Sequence, residues 1–179
     1  RHHLTIEVEP STEASYYRGM LALDYEKNGQ QRAVLLAGDQ AGDNSNLASR
    51  SAQQLLKVKI EVCDFYECTS ILQWSGYNKV EGLQVWADFI DGVVSLMKKK
   101  PYEGQQSLAK SLELLERDKL SVDYDYLYPL ARLYHAYSLF CLHRYEPSFN
   151  DYQEYERFTE NVLGKEVDDH RIRYNKLLC

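Results

Sequence analysis

The stretch from Tyr124 to Glu160 constrains the fold more than any other. Its first half carries Leu127, Leu130, Tyr134, Tyr137 and Cys141 on one line, with Leu133 and Phe140 beside it. Spacings of three and four residues put these groups on one helix face, at about 3.6 residues per turn. The second half follows His143-Arg144-Tyr145-Glu146-Pro147 and carries Phe149, Tyr152, Tyr155, Phe158 and Val162 on a similar broad face. Pro147 suits a first helical position, where its missing N–H is not needed. Neither helix buries such a stripe alone. The two are expected to pack antiparallel and to offer a shared face to their neighbours.

The rest of the chain reads the same way, with one exception at the start. Residues 1–10 alternate, Leu4, Ile6 and Val8 against Thr5, Glu7 and Glu9, as a short strand or extended arm does. Pro10 closes the arm, and Ser11 or Thr12 caps a helix from Glu13 to about Lys27, with a second from Gln31 to Ala37. Gly38 to Asn46 is rich in Gly, Asp and Asn and reads as a surface loop; it lacks the spacing of a phosphate loop. Leu47 to Trp74 is ambiguous. Leu56, Val58, Ile60 and Val62 alternate as a strand would, yet Ala48, Leu55, Val58, Val62, Phe65 and Leu72 form a heptad stripe. No turn residue interrupts the segment and strands rarely exceed about ten residues, so length favours one helix. Ser75-Gly76-Tyr77-Asn78 is the next turn. Helices then cover Lys79–Met97 and Tyr102–Arg117, Asp118–Tyr124 links to the aromatic pair, and a charged helix follows Leu163-Gly164 from Val167 to Leu178. The expectation is an all-α fold of about eight helices: the arm, then one helical domain over residues 11–179.

Composition limits what such a chain does. A net charge of −6 disfavours sequence-independent nucleic-acid binding, which needs a basic face. The one basic cluster, Lys98-Lys99-Lys100, sits where a helix C-terminus attracts cations. Four cysteines are too few for a disulfide scaffold of 179 residues and point to a reducing, intracellular compartment, cytoplasmic or nuclear. No apolar run approaches the roughly 20 residues of a membrane helix. The chain opens on Arg1 rather than Met and closes within a helical pattern, as a segment of a longer chain does.

Two stretches align without gaps, Lys100-Pro101-Tyr102-Glu103 onward and His143-Arg144-Tyr145-Glu146 onward, which sets Tyr102 against Tyr145. Such a period falls in the range of stacked helical repeats. Leu21-Ala22, Tyr25 and Gly29 have the spacing of another first helix and turn. The pattern resembles a degenerate tetratricopeptide-like repeat over residues 13–163, with departures: Gln105 and Ser148 stand where alanine is expected, and Tyr152 where Ala109 supplies a small residue. The resemblance implies a stack of antiparallel helix hairpins, an α-solenoid, with a concave surface for a partner.

Catalytic and metal signals are weak. Glu166 and His170 are four apart beside Asp168 and Asp169, but the chain contains neither of the two Glu-x-x-His units a di-iron bundle needs. Cys63 and Cys68 lie about 140° apart on one expected helix and do not face one metal. Cys141 and His135 fall on different helix faces, and His143 suits a helix C-terminus. We therefore expect no enzyme activity, cofactor or metal, no nucleic-acid or membrane partner, and binding of another protein or peptide segment. The aromatic surplus suggests where. Tyr134, Tyr137 and Tyr152 read as core, whereas Tyr124, Tyr126 and Tyr128 do not all face one way. Beside Arg132 and His135 they form the candidate partner-binding patch. The alternative is a helical sensor holding a small ligand between its helices.

Overall fold

The computed structural model describes residues 45–75, 82–117, 119, 123–167 and 170–179. The N-terminal arm, the helices expected from Glu13 to Ala37, the loop up to residue 44 and the turn at Gly76–Asn78 lie outside these. Among the described residues every regular element is a helix. These are α1 (Ser45–Glu61), α2 (Phe65–Ser75), α3 (Gln84–Met97), α4 (Pro101–Arg117), α5 (Tyr124–Cys141), α6 (Tyr145–Asn161) and α7 (His170–Leu178). The chain divides into two compact units, Arg1–Leu83 and Gln84–Cys179.

In the first unit, α1 and α2 form a hairpin. The Leu55–Phe65 segment is helical, as length required, but the expected single helix is broken at Val62–Asp64. Cys63 takes a left-handed backbone, φ +58°. The Cys63 N–H donates to the Ile60 carbonyl and the Asp64 N–H to the Lys59 carbonyl, both at 2.9 Å. This is a Schellman ending built without glycine. Asp64 then restarts the chain as a cap, its Oδ1 accepting from the Glu67 N–H at 3.3 Å. The break also shifts the core. Leu55, Leu56 and Ile60 are buried with Phe65, Cys68 and Ile71, while Val58 and Val62 of the heptad stripe face solvent.

The second unit packs its helices serially, α3 on α4, α4 on α5, α5 on α6 and α6 on α7. Helix α3 starts only at Gln84, after Gly82 at φ +84°, rather than at Lys79. It buries nearly its whole circumference, including Trp86, Phe89 and Ile90. Helix α4 answers with Leu108, Leu112 and Leu115, each worth about 1.5–3 kcal/mol when fully buried. The Ser111 hydroxyl reaches across to the Val85 carbonyl at 3.0 Å. Proline 147 is the third residue of α6, still in the first turn where N–H groups have no helical acceptor.

The α3–α4 and α5–α6 hairpins turn as α1–α2 does. Lys99 (φ +60°) and His143 (φ +59°) take the place of Cys63, with the same pair of Schellman hydrogen bonds. Aligning these three residues reveals a conserved crossing within the chain. The residue seven before the turn meets the residue five after it. The Cys68 thiol faces the Leu56 carbonyl at 4.0 Å, and the Ser148 hydroxyl donates to the Ala136 carbonyl at 2.8 Å. A Cβ added at Gly104 would stand 3.0 Å from the Gly92 carbonyl oxygen. At each crossing the second helix brings a small residue, Cys68, Gly104 or Ser148, which lets the two helices approach closely. This register sets Pro101, not Tyr102, against Tyr145, because the small crossing residue fixes the alignment and the Tyr-Glu pair does not.

Candidate partner-binding face

The same alignment pairs residues eight before and eight after each turn. In the first hairpin they are Leu55 and Ile71, both buried. In the second, the Ser107 hydroxyl donates to Asp91 at 2.7 Å. In the third they are His135 and Asp151, whose ring Nδ1 and carboxylate are in direct contact. Gln105 of α4 meets the other ring nitrogen at 3.0 Å. The tautomer with its proton on Nδ1 satisfies both contacts.

Arg132, one turn earlier on α5, joins three helices. Its guanidinium donates to Asp151 of α6 at 2.7 Å and to Glu116 of α4, and its Nε to the Tyr128 hydroxyl at 3.1 Å. It also lies over the Tyr128 ring, 5.3 Å from the centroid. Burial works against its charge, yet Tyr128 and Asp151 more than offset this and hold its pKa above the ordinary value. The Tyr128 hydroxyl donates in turn to Glu154. Burial raises the pKa of Tyr128, and the hydrogen bonds from Arg157 lower that of Glu154. Tyr124 stacks on Tyr128 at 4.7 Å and meets the edge of Phe158, and burial pushes its hydroxyl up to about 12. Tyr126 stacks on Trp86 of α3 at 5.9 Å.

The five residues singled out from sequence are thus placed along one helix, and Tyr124, Tyr128, Arg132 and His135 share one connected cluster. They are turned inward. Tyr128 is buried and the other four are partly buried. Their contacts clamp α4, α5 and α6 together, an ion-pair and aromatic network whose members satisfy one another.

Large apolar groups reach solvent elsewhere. The line read as the buried stripe of α5 is not its most buried face: Leu127, Tyr128, Ala131, Ala136 and Leu139 are buried, and Tyr137 is 46% exposed. Tyr152 of the expected core tyrosines is fully enclosed, and Tyr134 packs edge-on against Phe89. Tyr137 shares a hydrogen bond with Cys141. Both lie close enough to Tyr152 to help raise its pKa, which burial chiefly pushes up to about 12. Helix α7 arrives at the same hydroxyl from the other side: Asn175 donates to it at 3.0 Å, and the Cys179 thiol sits 3.8 Å from Ser148. Helices α5 and α7 therefore flank one buried tyrosine, and each carries exposed apolar groups, Tyr137 on α5 and Tyr174 and Leu178 on α7. Sequence carried a signal for Tyr137, its place on the aromatic line; nothing marked Tyr174 or Leu178.

The other candidate groups are dispersed. Cys63 is the turn residue between α1 and α2 and Cys68 lies within α2, and Glu166 precedes the helix that His170 opens. Among the described residues no three His, Cys, Asp or Glu side chains gather as metal ligands. Among the described residues no helix is long and apolar enough to cross a membrane.

Over the described residues the fold is that of helical proteins built from successive antiparallel hairpins. No protein-family model, curated protein or solved structure matches the chain.

Proposed function

We propose that the chain is a non-catalytic scaffold of tetratricopeptide-like hairpins that binds a segment of another protein along the face bearing Tyr137, Tyr174 and Leu178. The observation that carries this reading is that α5 and α7 meet at the buried Tyr152 hydroxyl, through Tyr137 and Asn175, while Tyr137, Tyr174 and Leu178 of the same two helices are exposed. Tyr and Leu side chains on rigid helices lose little conformational freedom on binding and offer apolar area with a polar tip. The cluster around Arg132 and His135 holds α4, α5 and α6 in the arrangement that shapes this face, with Tyr124 and Tyr126 at its partly exposed edge. The charged groups there are engaged with one another, which suits a support better than a reactive centre.

Photo-crosslinking tests this. A benzophenone amino acid at Tyr137 or Tyr174 should trap a polypeptide, and the same group at Gln153, exposed on α6, should not. Tyr137→Asp with Tyr174→Asp should abolish retention of the trapped partner at unchanged melting temperature. Failure to recover any polypeptide, together with a small molecule that alone raises the melting temperature, would refute the scaffold reading in favour of a ligand sensor.

A further inference from the structure

Ring contacts set α3 and α5 side by side and parallel: Trp86 stacks on Tyr126 near the two starts, and Phe89 meets Tyr134 further on. Their last turns therefore finish at one edge of the unit Gln84–Cys179, where the α3–α4 and α5–α6 turns are neighbours. That edge carries Lys98, Lys99 and Lys100 from one turn and His143 and Arg144 from the other, all exposed. Lys100 pairs with Glu103 at 3.0 Å, and the His143 ring meets the Tyr145 hydroxyl at 2.7 Å. Among the described residues no carboxylate pairs with Lys98, Lys99 or Arg144. Met97, Tyr102 and Tyr145 are exposed among these cations. The dipole of α3 accounts for cations in its last turn, but not for apolar groups standing in solvent between two cationic turns.

We propose that this edge binds a short acidic segment of another polypeptide, with carboxylates on either side of apolar side chains. Packed helices stand about 8–10 Å apart and an extended chain advances about 3.3 Å per residue, so carboxylates about three positions apart span the two turns. Met97, Tyr102 and Tyr145 take the apolar side chains between them. The α6 N-terminus, which no side chain caps, adds N–H donors at the same edge. Other polyanions fit less well. A membrane surface takes clusters of about 4–8 Lys or Arg, more than the unpaired cations here. A nucleic acid is repelled at longer range by a chain of net charge −6. Both turns are internal to the sequence, and the edge binds whether or not the Tyr137 face does.

The probe is a fluorescent peptide with Glu-Leu-Phe-Glu at the centre of a Gly-Ser chain. Titrated with the full chain at low salt, it should bind saturably and weaken as ionic strength rises. Lys98→Gln, Lys99→Gln and Arg144→Gln together should weaken it at least about tenfold, about 1.4 kcal/mol. Serine in place of the peptide's leucine and phenylalanine should also weaken it severalfold. Lys110→Gln, exposed on α4 away from both turns, should change nothing. Because Arg144 has no ion pair, Arg144→Gln should not lower the melting temperature. No saturable binding, or binding indifferent to the loss of these cations, overturns the proposal. A melting temperature lowered by several degrees would assign the edge to an acidic segment of the chain itself. Binding of oligothymidylate or phosphatidylserine vesicles, and not the peptide, with the same sensitivity to the three substitutions would assign it to phosphate groups. Either result also overturns the proposal.

Discussion

Replacing Gly104 by alanine sets two effects of opposite sign against each other. Glycine inside a helix is about 1 kcal/mol less favourable than alanine, so at an open site this substitution stabilises. At Gly104 the new methyl would lie 2.9 Å from the Leu96 Cγ and 3.0 Å from the Gly92 carbonyl oxygen. Leu96 is a side chain and can rotate; the carbonyl belongs to the backbone of α3, so α3 and α4 must separate. Overpacking of this kind costs roughly 1–3 kcal/mol, and a backbone obstacle argues for the upper half of that range. The net expectation is a loss of about 1–2 kcal/mol. For a unit the size of Gln84–Cys179 that lowers the melting temperature by roughly 5–10 °C. Urea unfolding followed by Trp86 fluorescence, in a Trp74→Phe background, reads this unit alone. A rise in stability near the propensity value would show that the hairpins do not cross as closely as described, and would remove the basis for equating the three crossings.

Two further outcomes follow from the packing of α5 and α6. Asp151→Ala should cost about 2–3 kcal/mol, below the 3–5 kcal/mol of a fully buried pair because Arg132 keeps Glu116. Arg132→Met should recover part of that loss in a double-mutant cycle, and a cost near zero would refute the clamp. At high pH the burial of Tyr152 becomes a liability. Its folded pKa, about 12, is above its ordinary 10.0, so its stabilising effect is complete below pH 10 and is lost as pH rises towards 12. Tyr124 acts in the same sense, and Cys68, raised from 9.0 to about 12, does so from pH 9 upward. Urea midpoints should fall less steeply between pH 10 and 12 in Tyr152→Phe than in the parent chain, and equal slopes would contradict its enclosure.

Local pattern alone determined that the regular elements described between residues 45 and 178 are helices. Apolar spacing and segment length are properties of consecutive residues, so they carried through Leu55–Phe65 despite its strand-like alternation. Even the small residue Ser148, noted as a departure from the repeat, was visible before its purpose was. Three things were decided only in three dimensions. The turn at Cys63 has no glycine because packing of α2 on α1 offsets the left-handed strain, of order 1–2 kcal/mol. The buried face of α5 is the one bearing Tyr128 and Ala131 rather than Tyr137, since an aromatic-rich helix has apolar groups on several sides and its neighbours choose among them. Arg132 and His135 turned inward because Asp151 and Glu116, distant in sequence, wait there. A charged side chain reads as surface until the carboxylate that meets it is brought into place.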